Sequence, residues 1–273
     1  NLFHRMLSIP PYKTKGRPRM TRRAVVVGTG HYLPERVVEN AEFEKTLDTT
    51  DEWIRSRSGI ERRHFAAEGE TTSDMAAKAA EAALKDAGFT ASDVDAIVLA
   101  TSTADLTFPS AATMVQSKLG MTRGFAFDVQ AVCAGFAYAL ANANALIISG
   151  QAKRVMVIGA ETFSRIMDWT DRGTCVLFGD GAGAMVLTAE EGEPSEFKGV
   201  LKTYLESDGE YCDLLYVDGG PSRTKTVGHL RMQGNQVFRH AVTKISGAMT
   251  TLCAQTGVDV SDIDWVVPHQ ANQ

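Results

Sequence analysis

A charge-free segment that follows a single cysteine constrains the fold of this chain more than any other feature. Residues 134–148 contain no proline and no charged side chain, are rich in alanine and leucine, and are followed by Gly150. Alanine and leucine are strong helix formers, and glycine is typical of the position beyond a helix C-terminus. Because a helix that is apolar on nearly every side belongs inside a domain, we expect a buried helix with Cys133 at its N-terminus.

The residues around Cys133 leave two interpretations open. The apolar run 125–127 predicts a strand, so the cysteine lies where a strand turns into a helix. The free N–H groups and the positive dipole end of a helix N-terminus favour a thiolate, which would make Cys133 a nucleophile. Buried cysteines are also commonly inert packing residues, and this segment alone does not decide between the two.

Composition and charge restrict the cell compartment and the classes of partner that we expect. The chain has 273 residues and a net charge of −5. Its four cysteines include no C-x-x-C pair, a pattern that is typical of neither a zinc site nor a disulfide framework. This use of cysteine predicts a cytoplasmic location. No apolar run approaches the roughly 20 residues that cross a bilayer. Residues 1–23 hold seven of the Lys and Arg residues and no acid, and removing those seven charges from −5 leaves −12 for the remainder. An acidic body argues against nucleic-acid binding, and we expect residues 1–20 to be a basic leader, disordered or not native.

The order of elements favours an α/β protein. Apolar runs of strand length, such as 97–100 and 154–159, alternate with helical patterns, which indicates a sheet covered on both faces. Two glycine-rich runs, 28–30 and 179–183, predict a turn after a strand and a hairpin turn. Neither is a nucleotide-binding motif, because the first lacks its third glycine and is followed by Pro34, and the second lacks a following Lys-Ser/Thr.

An internal repeat predicts two similar halves. Residues 83–98 read as a helix, a glycine stop, a turn and a strand, and residues 252–267 repeat that order at an offset of 169. Chance similarity of two helix–strand units is the alternative. If the repeat is a duplication, we expect an N-terminal half at 21–190 and an incomplete second half at 191–273, with a strand at residues 265–267.

Seven motifs taken together resemble one family, the β-ketoacyl-acyl-carrier-protein synthases III, which start fatty acid synthesis. The resemblance spans residues 22–273, and the motifs lie at 28–34, 50–63, 108–110, 131–136, 171–174, 178–183 and 268–272. It implies the thiolase fold, an α/β architecture in which two βα halves stack as alternating helix and sheet layers. It also implies a homodimer in which Phe108 reaches towards the acyl pocket of the partner.

The resemblance assigns a role to each candidate site residue. Cys133 would take an acetyl or short acyl group from acyl-CoA, and His269 would donate a hydrogen bond to the malonyl thioester when malonyl-acyl-carrier protein loses carbon dioxide. No metal or organic cofactor is implied. The mouth for coenzyme A would comprise Thr49, Trp53, Arg57 and Arg172. The pantetheine tunnel would comprise Leu177, Phe178, Gly234, Asn235 and Phe238. Arg239 and Lys244 are candidates for the carrier-protein patch.

Other interpretations remain. The family's His-Gly-Asn motif and C-terminal glycine-rich loop do not occur in the chain, and Asn272 belongs to a different motif. We therefore expect either a piece of a normal enzyme or an impaired one. The alternatives are a thiolase-fold protein that only binds coenzyme A, an acyltransferase that uses another acceptor, and a cysteine hydrolase.

Overall fold

The computed structural model describes residues 21–192 and 198–271. The expected leader, residues 1–20, lies outside the described residues. Strands and helices follow one another in this order: β1 (Thr21–Tyr32), β2 (Arg36–Glu39), α1 (Asn40–Phe43), α2 (Asp51–Ser58), β3 (Arg62–Phe65), α3 (Thr72–Ala87), β4 (Ala96–Ala100), α4 (Ala111–Lys118), β5 (Phe125–Val129), α5 (Gly135–Ile148), β6 (Arg154–Thr162), β7 (Asp180–Gly192), β8 (Leu215–Val217), β9 (Leu230–Met232) and α6 (Gly234–Thr256).

A five-stranded sheet forms the centre of the described structure, in the order β1-β7-β6-β4-β5. Strand β4 pairs in parallel with both β5 and β6, whereas β7 runs antiparallel to β6 and β1. Alternate residues of β4 face opposite sides: Ile97 and Leu99 pack under α3 and α4, and Val98 packs under α5. The predicted α/β sheet with helices on both faces is confirmed.

Residues 28–30 and 180–183 of the two glycine-rich runs lie inside strands, so the predicted turns are wrong. Residues 28–30 belong to β1, where a Cβ atom on Gly30 would lie 2.3 Å from the backbone nitrogen of Ala83. Residues 180–183 of the second run lie in the continuous strand β7, which is hydrogen-bonded on both sides. Glycine in β1 allows α3 to pack closely on the sheet. Because glycine is found both in such strands and in turns, the sequence alone does not distinguish the two.

Helix α5 is buried along one stripe only. Its buried residues, Gly135, Ala139, Ala143 and Ile147, recur at a spacing of four and face the sheet. The opposite face carries the exposed residues Ala137, Asn142, Ala145 and Ile148, the last of which is 53% exposed. The prediction of a helix buried on nearly every side is wrong for this structure, because composition cannot show how many faces have a neighbour.

The region after residue 198 has fewer buried side chains than the region before it. Strands β8 and β9 form a hairpin, and the 23-residue helix α6 that follows has no buried residue. Residues 265–267 form no strand with any described residue, which contradicts the prediction, and Trp265 is 84% exposed. The boundary expected near residue 190 falls at the end of β7, and the division into two halves stays a prediction.

Candidate active site

Cys133 lies where the carboxyl ends of three parallel strands meet. A short 3-10 turn, Val132–Ala134, connects β5 to α5, and a Cβ atom on Gly135 would lie 3.1 Å from the Cβ atom of Ala100 at the end of β4. Val132 has a φ of 48°, in the left-handed region that β-branched residues rarely adopt. Such strain is concentrated at functional sites, and the next residue, Cys133, is exposed.

The environment of Cys133 disfavours its thiolate. The residue is exposed as a whole, yet the protein atoms packed around the sulfur raise the pKa of the thiol, and the carboxylate of Glu161 acts in the same direction. The backbone N–H of Cys133 itself opposes the rise. Desolvation and the neighbouring carboxylate therefore oppose the stabilisation of the thiolate that a helix N-terminus provides.

Glu161 is a residue of this site that the sequence analysis missed. It lies near the end of β6 and accepts hydrogen bonds from the backbone N–H of Ser102 (2.8 Å) and the hydroxyls of Thr103 (2.5 Å) and Thr101 (3.4 Å). Burial raises the pKa of its carboxyl group, and these donors lower it again in part. The only signal in sequence was one acidic residue at the end of an apolar strand, and Glu161 fixes the segment after β4 beside Cys133.

Three of the residues predicted for the coenzyme A mouth lie together. The guanidinium carbon of Arg57 lies 4.5 Å, and that of Arg172 5.1 Å, from the ring centre of Trp53 on α2. Arg172 also donates hydrogen bonds to the backbone and side chain of Asp48. The hydroxyl of Thr49 nearby in the chain is buried and has no hydrogen-bond partner among the described residues.

The predicted tunnel residues fall into two groups. Leu177 and Phe178 are partly buried in a cluster with Trp53 and Met232, and the ring of Phe178 meets that of Phe163 edge-on at 5.3 Å. The other three residues lie on the first turns of α6, where all are exposed: Gly234, Asn235 and Phe238. Among the described residues, no hydrogen bond or aromatic ring contact joins the second group to the first.

His269 and the carrier-protein patch stay predictions. His269 is exposed, and it has no hydrogen bond, ion pair or ring contact to any residue within 21–192 or 198–271, so the structure does not join it to Cys133. Arg239 is exposed on α6. Lys244 forms ion pairs with Glu206 and Asp208, which neutralise much of the positive charge expected there.

Phe108 projects from the loop between β4 and α4 and is 83% exposed. The loop is held at both ends. The carboxylate of Asp105 accepts hydrogen bonds from the backbone and hydroxyl of Ser73, and the backbone N–H groups of Ala111 and Ala112 donate to Asp128. An exposed aromatic ring on an anchored loop suits contact with another protein surface.

Comparison with known proteins gives one consistent family. The family model for 3-oxoacyl-[acyl-carrier-protein] synthase III matches residues 127–209. The β-ketoacyl-[acyl-carrier-protein] synthase III of Ruegeria sp. (strain TM1040) is 76% identical over 254 residues, which cover 93% of this chain and 78% of that protein. The protein of the same name from Roseobacter denitrificans is 73% identical over the same shares.

Solved structures agree with the sequence relatives. The 3-oxoacyl-[acyl-carrier-protein] synthase III of Aquifex aeolicus VF5 superposes with a TM-score of 0.84 at 42% identity, over 91% of this chain and 77% of that one. The enzyme of Pseudomonas aeruginosa PAO1 gives 0.84 at 44% identity, over 92% and 76%. The described residues contain no helix of the length and apolarity that crossing a membrane requires. The chain therefore belongs to the β-ketoacyl-[acyl-carrier-protein] synthase III family and has its thiolase-like α/β fold.

Proposed function

We propose that this protein starts fatty acid synthesis by condensing a short acyl group from coenzyme A with malonyl-acyl-carrier protein. The identity to proteins named for this activity supports the reaction class. The observation that carries the proposal is the placement of Cys133. Cys133 is exposed and directly follows the strained residue Val132. It lies at the carboxyl ends of the parallel strands, the edge at which α/β sheets bind ligands.

Acyl transfer to Cys133 splits the reaction into two steps. The sulfur attacks the thioester carbonyl, the bond to coenzyme A breaks, and the thiol proton ends on the coenzyme A sulfur, so that the acyl group is held on Cys133. The backbone N–H of Cys133 would donate to the carbonyl oxygen as that oxygen gains charge. No cofactor beyond the thioester substrates takes part in this scheme.

The mouth around Trp53 would hold the nucleotide of coenzyme A. A flat base between two stacking partners needs about 7 Å, two contact distances of about 3.5 Å, whereas Arg172 lies 5.1 Å from the ring of Trp53. Binding would therefore move the guanidinium of Arg172 away from the ring of Trp53. The unpartnered hydroxyl of Thr49 and the second stacked cation, Arg57, would supply polar contacts to the ligand. Leu177 and Phe178 would line the tunnel for pantetheine, with Gly234, Asn235 and Phe238 on its α6 side.

The second step would join malonyl-acyl-carrier protein to the acyl group. Loss of carbon dioxide leaves a carbanion that attacks the acyl carbonyl, and Cys133 is released. His269 would stabilise the malonyl thioester oxygen, which requires it to come within about 3 Å of that atom. The exposed Arg239 would meet the acidic carrier protein, with Lys244 contributing less because it is already paired.

A second copy of the chain would complete the assembly. Strand β5 is an edge of the sheet, and its Phe125 ring stacks on Phe127 while remaining 39% exposed. Unpaired edges invite pairing with another chain. A homodimer joined along β5 would also give the exposed Phe108 a partner surface. The free cysteines suit the cytoplasm as the place of action.

Intact mass spectrometry with acetyl-CoA tests the proposal. We expect one acetyl group on the wild-type chain and none on Cys133→Ser, while Cys212→Ser, which changes an exposed cysteine outside the site, keeps the wild-type result. Carbon dioxide release from malonyl-acyl-carrier protein should follow acetylation.

Each rival makes a different prediction in this experiment. A protein that only binds coenzyme A gains no mass. An acyltransferase with another acceptor gains the acetyl group but releases no carbon dioxide, and a hydrolase loses the acetyl group to water without the carrier protein. Any of these results would contradict the condensation reaction.

A further inference from the structure

Arg63 is a buried positive charge without an acidic partner. It lies on β3 and is 6% exposed, inside the cluster that packs beneath Trp53 and Phe178. Among the described residues no carboxylate forms an ion pair with it. Its hydrogen-bond acceptors are neutral: the side-chain oxygen of Asn40 (2.8 Å) and the carbonyls of Val176 (2.7 Å) and Val38 (3.4 Å).

This arrangement is costly. Burial lowers the pKa of Arg63 to about 10, and the Nε atom of the side chain is buried without a hydrogen-bond partner. The guanidinium also covers the ring of Phe43 at 4.8 Å, so the surroundings would accept an apolar side chain. Apolar residues often replace buried charges without loss of stability. An apolar side chain could not make the three hydrogen bonds of Arg63, whereas the planar fork of arginine reaches several acceptors at once.

The acceptors of Arg63 belong to the two walls of the coenzyme A mouth. Through its amide nitrogen, Asn40 donates to the carboxylate of Asp51 (2.8 Å), the first residue of α2, and to the carbonyl of Ile60 (2.8 Å) just after that helix. Asn40 thereby connects Arg63 to both ends of the helix that carries Trp53.

The other wall is reached through Val176. The backbone N–H groups of Thr174 and Cys175 donate to the carbonyl of Asp171, so the turn that carries Arg172 leads directly into Val176. The backbone also approaches here, since a Cβ atom on Gly179 would lie 3.1 Å from the Cβ atom of Arg63. One guanidinium therefore spans the base of the mouth.

We propose that Arg63 is a positioning residue for coenzyme A, which sets the separation of the backbone segments that carry Trp53 and Arg172 by bridging Asn40 to the carbonyl of Val176. The inference rests on the proposed role of Trp53 and Arg172 in binding the nucleotide. Arg63 touches neither the reacting atoms nor the ligand and acts through the two walls.

The experiment compares a complete substrate with one that lacks the nucleotide. Arg63→Met should raise the dissociation constant for coenzyme A, measured by calorimetry, about tenfold and slow acetylation of Cys133 by dilute acetyl-CoA to a similar degree. Acetylation by S-acetyl-N-acetylcysteamine, which has no nucleotide, should change by less than about twofold. Arg62→Met is the matched control, since Arg62 is the exposed neighbour on the same strand and should leave both values unchanged.

Two further variants keep the test decisive if Arg63→Met does not fold. Arg63→Lys keeps the charge but cannot span three acceptors, and Asn40→Ala breaks the next connection, so both should weaken coenzyme A binding selectively. Equal slowing with both thioesters, or an unchanged dissociation constant in a folded variant, would overturn the inference. If the wild-type chain binds coenzyme A but is not acetylated, the proposed reaction fails while the dissociation constants still test Arg63.

Discussion

The two copies of the internal repeat fold alike where structure is local. Helix α3 ends at Gly88 and helix α6 at Gly257, both with left-handed backbone at φ angles of 67° and 72°. Each glycine is followed by a 3-10 turn. The first turn has the bond from Val94 N–H to the carbonyl of Ala91 and the second its counterpart from Ile263 to Val260, both at 3.3 Å. Caps and turns need only the residues within them.

The copies differ where structure depends on neighbours. In the first, residues 96–100 form β4, which is hydrogen-bonded to β5 and β6 and has Ile97 and Val98 fully buried. In the second, residues 265–267 pair with no described strand, and Val267 is 89% exposed. The difference shows that a repeated sequence encodes the helix and its stop by itself, whereas the strand forms only beside a partner.

An aspartate at the equivalent position of each copy should give the largest difference in the free energy of unfolding between the two copies. Val98→Asp puts a carboxylate into a dry core without a partner and should cost at least about 4 kcal/mol, enough to unfold the domain. Val267→Asp, its counterpart at the offset of 169, should change the free energy of unfolding by less than about 0.5 kcal/mol. Urea unfolding followed by circular dichroism measures both.

The milder pair Val98→Ala and Val267→Ala serves as the control, because the first leaves the domain folded at a cost of about 1–3 kcal/mol. Equal losses for the two aspartate variants would mean that residue 267 is buried in solution and that the copies are alike after all.

The glycine caps should behave alike. An added Cβ atom meets nothing within 4 Å at either glycine, so Gly88→Ala and Gly257→Ala should each cost only the strain of a left-handed alanine, about 1 kcal/mol. Hydrogen exchange of the amides in the last turn of each helix measures the local loss. A cost confined to Gly88 would show that the end of α6 is not formed in solution.

Local patterns in the sequence were enough to predict much of this fold. The stop of α3 at Gly88, the buried strand at 97–100 and the position of Cys133 between strand and helix each depend on residues close in the chain, and the structure has all three. Family resemblance added the cluster around Trp53, which the structure brings together.

What the sequence could not predict depends on distant residues. Arg63 is held by Val176, 113 positions away, and Glu161 by the segment 101–103, about 60 positions away. Neither contact leaves a periodic signal. The raised pKa of Cys133 has the same origin, since it comes from packing and from Glu161. The glycines of β1 led to the prediction of a turn because glycine occurs both where a helix packs closely on a strand and in left-handed turns.

The smallest expected difference in stability is between two ion pairs, one on α3 and one on α6. In α3, Asp74 caps the helix and accepts hydrogen bonds from the ammonium of Lys118 (2.5 Å) and the hydroxyl of Thr71 (2.6 Å). Burial by itself would raise the pKa of Asp74, but these donors outweigh it and lower the pKa to about 2. On α6, Lys244 pairs with Glu206 at an exposed site.

A lowered carboxyl pKa stabilises the fold above the unfolded value of 3.8, and the stabilisation is lost as the pH falls towards 2. Asp74→Asn should therefore lower the free energy of unfolding at pH 7 by about 1 kcal/mol or less, since the carboxylate is 36% exposed and screened. The loss should shrink at pH 3. Lys244→Ala should have no measurable effect at either pH, and urea unfolding at both values checks the pair. A loss with Lys244→Ala as large as that with Asp74→Asn would show that α6 is packed against the domain in solution, because only a desolvated pair could contribute so much.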